Sequence, residues 1–484
     1  MRFTGKFARR STGKFAGLSL ALALAILPVA AAGGAEAPAP GIPARPEELR
    51  FSPLEIDVPE PAAFRHTLKN GIAVYLAEDH GLPLVEVSVL ARVGGYLDPP
   101  AKPGLAFLTA DLMRKGGTAK RDADRFEDDA TAIAADLDVA TGDLASTASL
   151  SVLSEHLDTG LDLLFEMVAR PVFAAAKLKT EKDNLRTALP GRFDAAGDLL
   201  DREWQGLLAS PRQQASHFMT PRRLAALGRG DLAAFHRRYW RPENLLLVVA
   251  GDVSPAEILP ALEKRFGSWR PPGSQPKKGA ALPWPPKSPL LRAVPGLYYA
   301  DFAAPQSQVN IGQPGLSWAG HWDDPEYFAL AVANEILGGN LFTSRLGRRL
   351  RTEEGLVYGV ASQDGLGILW PDLATLAFST DPAKAARATV LALEELRRLG
   401  REKASDDELQ IAKSALLARL GETLGSPRDV AATYAEDELY GRPHARWRAY
   451  REHILAVTAE SVLAAVHRHL QPERSTILLV GSWA

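Results

Sequence analysis

The chain repeats itself once, and this internal duplication constrains its fold more than any single motif does. The first half closes with RPENLLLVVAGD (residues 241–252) and the second with QPERSTILLVG (471–481), each a Pro-Glu turn that leads into an apolar strand. Near the start of each half an alternating strand pattern, at 84–93 or 307–316, leads to an acid–proline corner and then a helix. Equivalent points lie about 220–230 residues apart, so the sequence predicts two similar domains.

Within each half, period-2 strand patterns alternate with amphipathic helical patterns. Strands are predicted over residues 147–154 and 371–380, and helices follow them over 156–169 and 383–399. Strands and paired helices in this order predict an α+β fold. We expect two homologous α/β-sandwich domains, each with a largely antiparallel sheet and helices packed on one of its faces.

The domain borders are predicted from composition. Residues 1–32 combine a basic stretch, an apolar run and a small-residue end, which is typical of a cleaved signal peptide, with an uncleaved membrane anchor as the alternative. Residues 33–49 form a Pro/Ala-rich tether. The first domain is expected over 50–270, a Pro-rich linker over 271–293 and the second domain over 294–484.

Export implies a bacterial periplasm or an extracellular location, and we expect the periplasm. The route is the general or the twin-arginine one, and cleavage falls at Ala32 or a few residues later. Removing residues 1–32, with their five basic side chains, changes the formal net charge from −2 to −7, so nucleic acid is not an expected partner. No other apolar run is long enough to predict a stable membrane span. The chain has no cysteine, which excludes disulfides and thiol catalysis.

Common catalytic motifs do not occur in this sequence. It contains no G-x-S-x-G elbow, no phosphate-binding P-loop and no dinucleotide fingerprint. None of the ten His residues forms an H-x-x-E-H or H-E-x-x-H pair, the spacing that directs two imidazoles to one metal ion. The segment HWDD (321–324) offers metal donors, but Asp324 before Pro325 is better interpreted as a helix N-cap.

The segment GLAFLTADLMRKGGT (104–118) predicts a helix that ends at a Gly-Gly pair. Its core face carries three leucines at helical spacing: Leu105, Leu108 and Leu112. Its other face is mixed, because Phe107, Ala110 and Asp111 share it. We expect Asp111 to pair with Arg114 or Lys115, about one helical turn further on.

A second segment of interest spans residues 334–360. A helix over about 325–337 is expected to end at Gly338 and Gly339, and a turn through Asn340 to lead into a second helix over 343–354. Arg351 lies in the last turn of that helix, and Tyr358 lies in the strand that follows. By spacing alone the favoured interpretation is structural, because Arg complements a helix C-terminus and Tyr packs well in strands.

The two segments resemble the pitrilysin/insulinase family of zinc peptidases, the inverzincins, and the resemblance extends over residues 50–484. LGGNLFTSRLGRRLRTEEGLVYGV is similar to the family's glycine-rich loop followed by its Arg…Tyr substrate pair. The resemblance implies that five residues of this chain bind substrate: Gly338, Gly339, Asn340, Arg351 and Tyr358.

The first half departs from the family pattern, in which Gly-Leu-Ala precedes H-x-x-E-H. The first ligand His falls on Phe107, the catalytic Glu on Ala110 and the second ligand His on Asp111. The third ligand, a Glu, falls on Lys179 or on Glu181. The resemblance therefore implies that this chain has no catalytic residues, no metal and no cofactor of its own.

Some family members are heterodimers in which a subunit without the zinc motif closes the chamber of one that carries it. The resemblance implies that this chain is such a non-catalytic subunit, with an H-x-x-E-H partner that supplies Zn²⁺ and with unfolded or short peptides as substrates. The alternative is a peptide-binding or scaffold protein without an active partner. A third interpretation is a peptidase that is active alone through Asp111, Glu181 and a distant His.

Overall fold

The computed structural model describes residues 57–208, 219–271, 291 and 294–482. Residues 54–484 form one compact unit, which contains both predicted halves. The predicted signal peptide, the tether and nearly all of the Pro-rich linker lie outside the described residues. None of the helices in the described part of the chain combines the length and apolar character that crossing a bilayer requires.

The first half forms a six-stranded sheet. Its strands are β1 (Arg65–Thr67), β2 (Ala73–Glu78), β3 (Leu84–Ala91), β4 (Asp136–Thr141), β5 (Ser146–Leu153) and β6 (Leu245–Gly251). The strand order is β1-β2-β6-β3-β5-β4, and every neighbouring pair is antiparallel except β2 and β6. In β3 every second residue is buried, as the alternating sequence predicts.

Helices of the first half cover one face of this sheet. The helices of this half are α1 (Leu105–Lys115), α2 (Ala123–Ala132), α3 (Leu157–Ala169), α4 (Ala175–Gly191), α5 (Ala196–Leu208), α6 (Pro221–Ala226), α7 (Arg229–Tyr239) and α8 (Pro255–Leu262). Of these, α5 does not join the core on this face and packs instead against the second half. Val85, Val87 and Val89 of β3 join a core to which α1 contributes Leu108 and Leu112. The periodicity of the α1 sequence therefore predicted its buried face correctly.

The second half forms a five-stranded sheet and a separate two-stranded pair. Its strands are β7 (Gly296–Asp301), β8 (Ser307–Pro314), β9 (Leu316–Ser317), β10 (Val357–Asp364), β11 (Leu366–Gly367), β12 (Leu373–Thr380) and β13 (Thr476–Gly481). Its helices are α9 (Pro325–Asn334), α10 (Ala385–Leu399), α11 (Asp406–Thr423), α12 (Pro427–Tyr440), α13 (Arg446–Ala456) and α14 (Ala459–His469). The larger sheet has the order β10-β12-β8-β13-β7, and β10 is an edge strand.

The two large sheets share one topology. In each of them one parallel pair, β2–β6 or β7–β13, adjoins a run of antiparallel neighbours, β3-β5-β4 or β8-β12-β10. This correspondence confirms the internal duplication and the largely antiparallel α/β architecture predicted from the sequence. The borders at residues 270 and 294 stay a prediction, because the linker lies outside the described residues.

The second face of each sheet receives a helix from the other half. On the second sheet, Trp204 of α5 packs with Leu478 and Val480 of β13. On the first sheet, Tyr434 of α12 packs with Tyr75 of β2. The two closing strands are therefore covered on both faces, which explains why their sequences are continuously apolar and do not alternate.

The junction at the C-terminal end of α12 is polar and closely paired. The Glu438 carboxylate accepts hydrogen bonds of 2.7 Å from Nε of Arg65 and 2.7 Å from the Tyr75 hydroxyl. The Arg92 guanidinium donates to the backbone carbonyls of Glu438 and Leu439, at 2.8 and 2.9 Å. Because the last carbonyls of a helix lack partners within the helix, these contacts join the first half to the end of α12.

Candidate functional site

The acid–proline corners predicted from the sequence cap two equivalent helices. The Asp98 carboxylate accepts hydrogen bonds from the backbone N–H groups of Gly104 and Ala106, at 2.6 and 2.8 Å, at the start of α1. Burial raises the pKa of Asp98 to about 6, against the lowering effect of these backbone donors. Asp324 accepts from the N–H of Glu326 at 3.0 Å, which confirms its assignment as the N-cap of α9.

The mixed face of α1 presents one charged group among apolar ones. The Phe107 ring is 52% exposed, the Ala110 methyl group is buried, and the Asp111 carboxylate is largely covered. These are the three positions at which the family pattern requires a ligand, a base and a second ligand. They supply one carboxylate and no imidazole, and no group at position 110 can accept a proton.

The Lys115 ammonium occupies the space between two carboxylates beside this face. Its Nζ lies 2.7 Å from Oδ1 of Asp111 and 3.4 Å from Oε2 of Glu181, which α4 contributes. Burial lowers the pKa of Lys115, but its two acidic partners raise it more, so that it lies above the ordinary value. Burial has the opposite effect on the acid: it raises the pKa of Asp111, although the positive charge of Lys115 acts to lower it. Lys115 thus places a positive charge between two carboxylates.

These contacts show how Asp111 is paired and which of the two α4 residues reaches α1. Asp111 pairs with Lys115, whereas Arg114 donates to the carbonyl of Leu137. Glu181 faces α1, whereas the exposed Lys179 pairs with Asp183 at 2.7 Å. Sequence reasoning missed that Lys115 contacts both acids, because Glu181 lies far from α1 along the chain and periodicity does not report such contacts.

The residues at this location do not fit a zinc centre. A catalytic zinc ion needs three protein ligands and an open position for water. Here Phe107 and Ala110 offer no donor, and the ammonium of Lys115 already engages both carboxylates. Nowhere in the described part of the chain do three or more His, Cys, Asp or Glu side chains form a group that could hold a metal ion.

The glycine-rich segment of the second half continues α9 as a wider, π-helical turn over Glu335–Gly339. The Asn340 side chain then accepts hydrogen bonds from the backbone N–H groups of Phe342 and Thr343, at 2.9 and 3.3 Å. The predicted helix over 343–354 begins later than expected and is π-helical over Gly347–Glu353. The Asn340 side chain therefore stabilises this turn, and its predicted role in substrate binding stays a prediction.

Gly338 permits a close approach between this turn and β10. A Cβ atom at position 338 would lie 2.7 Å from Oγ and 2.9 Å from the backbone N of Ser362. We expect Gly338→Ala to destabilise the fold by about 1–3 kcal/mol, because the backbone of β10 would have to shift. Chemical denaturation would measure the loss. Gly359→Ala is the matched control, since nothing lies within 4 Å of a Cβ there, and equal losses in both variants would contradict the packing role.

The structure brings Arg351 and Tyr358 together and adds a third residue. The Arg351 Cζ lies 5.6 Å from the centroid of the Tyr358 ring and 4.7 Å from that of the Phe342 ring. Tyr358 is 81% exposed and Phe342 is 70% exposed. The structural interpretation of Tyr358 as a packed strand residue is therefore wrong. Sequence reasoning missed Phe342, which follows Leu341 in the turn after Gly338-Gly339-Asn340 and has no sequence signal that distinguishes it from a core residue.

Arg351 differs from the arginines around it in its charge partners. Arg345 donates to both carboxylate oxygens of Glu408, at 2.8 and 2.9 Å, and this lowers the pKa of Glu408 to about 2. Arg349 pairs with Glu353, at 3.1 Å. Within the described ranges no carboxylate lies within ion-pair distance of Arg351. A partly buried cation without a carboxylate partner thus lies beside two exposed rings, where a ligand can reach it.

Two family models match the chain, one in each half. Residues 73–190 match the insulinase family, Peptidase family M16, and residues 226–416 match the Peptidase M16 inactive domain. An uncharacterized zinc protease of Mycobacterium leprae is 26% identical over 433 residues, which cover 87% of this chain and 92% of that protein. The two models together match more than half of the chain.

Solved structures share the fold. A peptidase M16 inactive domain from Pseudomonas fluorescens superposes with a TM-score of 0.74 at 22% identity, covering 87% of this chain and 98% of that one. The periplasmic protease PqqL from Escherichia coli gives a TM-score of 0.67 at 16% identity, covering 90% of this chain and 48% of that one. Duplicated topology, matched family models and shared fold lead to one conclusion: the chain belongs to the insulinase family of peptidases, M16.

Proposed function

We propose that this chain is an exported, non-catalytic member of the insulinase family that binds peptide and completes the chamber of a zinc-bearing partner subunit. The observation that carries the proposal is the contrast between its two sites. Lys115 fills the position between Asp111 and Glu181 in the first half. Arg351 and Tyr358, in the second half, are left open to a ligand.

In the proposed complex the partner subunit supplies zinc, the attacking water and the general base. The Arg351 guanidinium donates charge-assisted hydrogen bonds to a peptide carbonyl or carboxylate. The Tyr358 hydroxyl donates near the scissile carbonyl, where negative charge develops in the transition state. In the glycine-rich turn, Gly338 is packed against Ser362, so Gly339 is the residue whose backbone an extended peptide would approach closely.

The position of Tyr358 supports a particular mode of peptide binding. Tyr358 lies on β10, which is an edge strand of the five-stranded sheet. An edge strand offers unpaired backbone N–H and C=O groups, to which an extended peptide adds as a further strand. Such a peptide would pass alongside the exposed ring of Tyr358 and the guanidinium beside it.

A periplasmic location belongs to the same proposal. The composition of residues 1–32 supports it, and the E. coli neighbour is described as a periplasmic protease. Co-purification from the native host, followed by identification of bound proteins, tests the partnership. Recovery of an H-x-x-E-H family member would support it, whereas a chain that purifies without one would favour the alternative, a peptide-binding or scaffold protein.

In a reconstituted pair we expect Arg351→Ala and Tyr358→Phe to lower peptide turnover by about 100–1,000-fold, the range known for removing a transition-state donor. Assembly of the pair, measured by size-exclusion chromatography, should not change, because both side chains are outside the cores of the fold. Arg349→Ala is the matched control, since Arg349 is paired with Glu353. Unchanged turnover in both variants would overturn the assigned roles.

A further inference from the structure

Three side chains of the second site lie together, and we name this group the clamp: Phe342, Arg351 and Tyr358. The guanidinium lies within 6 Å of both ring centroids, a distance at which cation–π attraction operates. No carboxylate of the described residues lies within ion-pair distance of the Arg351 guanidinium, whose N–H groups match the two oxygens of a carboxylate. The clamp therefore combines an anion-binding group with apolar flanks.

The acids near the clamp are already engaged. Glu354 accepts from Arg387 at 2.6 Å and lies 3.4 Å from Arg349. Glu353 pairs with Arg349, and Glu408 with Arg345. Each of these carboxylates has another basic partner, so among the described residues they leave the charge of Arg351 to be matched by a ligand carboxylate.

The two rings of the clamp are unusually open for their size. Tyr358 is the most exposed of the large apolar or aromatic side chains in the described residues, at 81%. Phe342 is 70% exposed. Burying such rings against a ligand is favourable in proportion to the apolar area removed from water. A ligand that places a carboxylate on Arg351 would therefore gain further from an apolar group beside that carboxylate.

We propose that the clamp selects peptides by a carboxylate next to an apolar side chain, and that Phe342 is a specificity-determining residue. This inference rests on the proposed peptide-binding function and adds the chemistry of the preferred peptide. The carboxylate comes either from the C-terminus of the peptide or from an Asp or Glu side chain. Both sources present the same pair of oxygens to Arg351.

The test is binding of short, unstructured fluorescent peptides to the full chain, measured by fluorescence anisotropy. Three peptides share one Phe-containing sequence: one has a free C-terminus and no acid, one is amidated with a single Glu beside the Phe, and one is amidated and has no carboxylate. We expect at least one of the two peptides with a carboxylate to bind about tenfold more tightly than the neutral peptide. The peptide that does so shows whether the clamp recognises a C-terminal or a side-chain carboxylate.

Variants separate the clamp from general peptide binding. Arg351→Gln should remove the tenfold preference, and Phe342→Ala should weaken the preferred peptide about five- to tenfold, because a ring is no longer buried. Two controls should keep the wild-type preference: Arg349→Gln, whose guanidinium is already paired, and Leu82→Ala, which removes an equally exposed apolar side chain elsewhere.

The outcomes distinguish this inference from the proposed function. Equal binding of all three peptides, or a Phe342→Ala variant that keeps wild-type affinity, would overturn the clamp and leave peptide binding intact. If none of the peptides binds to the wild-type chain, peptide binding and the clamp are both overturned. A preference that also disappears in Arg349→Gln would reflect net charge and would overturn the assignment to Arg351.

Discussion

A triple variant, Phe107→His with Ala110→Glu and Asp111→His, is expected to bind Zn²⁺ poorly although it restores the H-x-x-E-H motif. The reason is Lys115, whose ammonium lies 3.4 Å from the carboxylate of Glu181, the remaining acid that faces α1. A fixed positive charge there repels a divalent cation and occupies the oxygen that would ligate it. Adding Lys115→Ala should tighten zinc binding by about 10–100-fold, the size of effect that residues around the metal ligands have on metal affinity.

Titration calorimetry with Zn²⁺ would measure both affinities, with a chelator used to confirm reversibility. The matched control adds Lys179→Ala to the same triple variant, because Lys179 is also on α4 but is exposed and pairs with Asp183. Equal affinities of the triple and quadruple variants would contradict the blocking role of Lys115. The wild-type chain alone should show neither stoichiometric zinc binding nor proteolysis that a chelator abolishes.

Asp437→Ala is expected to be among the most destabilising single substitutions, with a loss of about 3–5 kcal/mol in the free energy of unfolding. The Asp437 carboxylate is fully buried near the end of α12. It accepts hydrogen bonds of 2.9 Å from Arg446 and 2.7 Å from the Trp447 indole, and its Oδ1 lies 2.8 Å from Nε of Arg442. Removing it leaves two largely buried guanidinium groups without their shared counter-charge.

Equilibrium denaturation in urea would measure this loss. Glu436→Ala is the matched control, because Glu436 pairs with the same Arg442 at 3.1 Å but has a half-exposed side chain. Exposed ion pairs contribute about 0–1 kcal/mol, so the control should change stability little. Similar small losses in both variants would show that the buried cluster does not hold the end of α12 in place.

The sequence predicted helices and strands correctly where buried residues recur at a regular spacing along the chain. The leucine face of α1 and the alternating β3 are predicted because one side of each element meets a core. The positions of the π-helical turns at 335–339 and 347–353 were not predicted, because a widened turn depends on what packs beside it. Gly338 illustrates this, since its need for a small side chain comes from Ser362 on another strand.

The sequence identified some residues of the candidate site, and it missed those whose contacts or exposure depend on tertiary packing. Arg351 and Tyr358 lie seven residues apart, so a local motif could identify them together. Glu181 and Lys115 are separated by 66 positions in the sequence, and only the packing of α4 beside α1 shows that they are partners. Phe342 was missed because its exposure depends on how the turn after Gly339 leaves the core.

By itself, the sequence determined the duplication, the strand and helix types and the loss of the zinc motif, because each depends on residue identity or on a repeat along the chain. Only the tertiary structure decided that α5 and α12 each cover the sheet of the opposite half. It also decided that Lys115 lies between Asp111 and Glu181. The physical reason is that periodicity records which side of an element is buried, whereas the partner that buries it is chosen by three-dimensional packing.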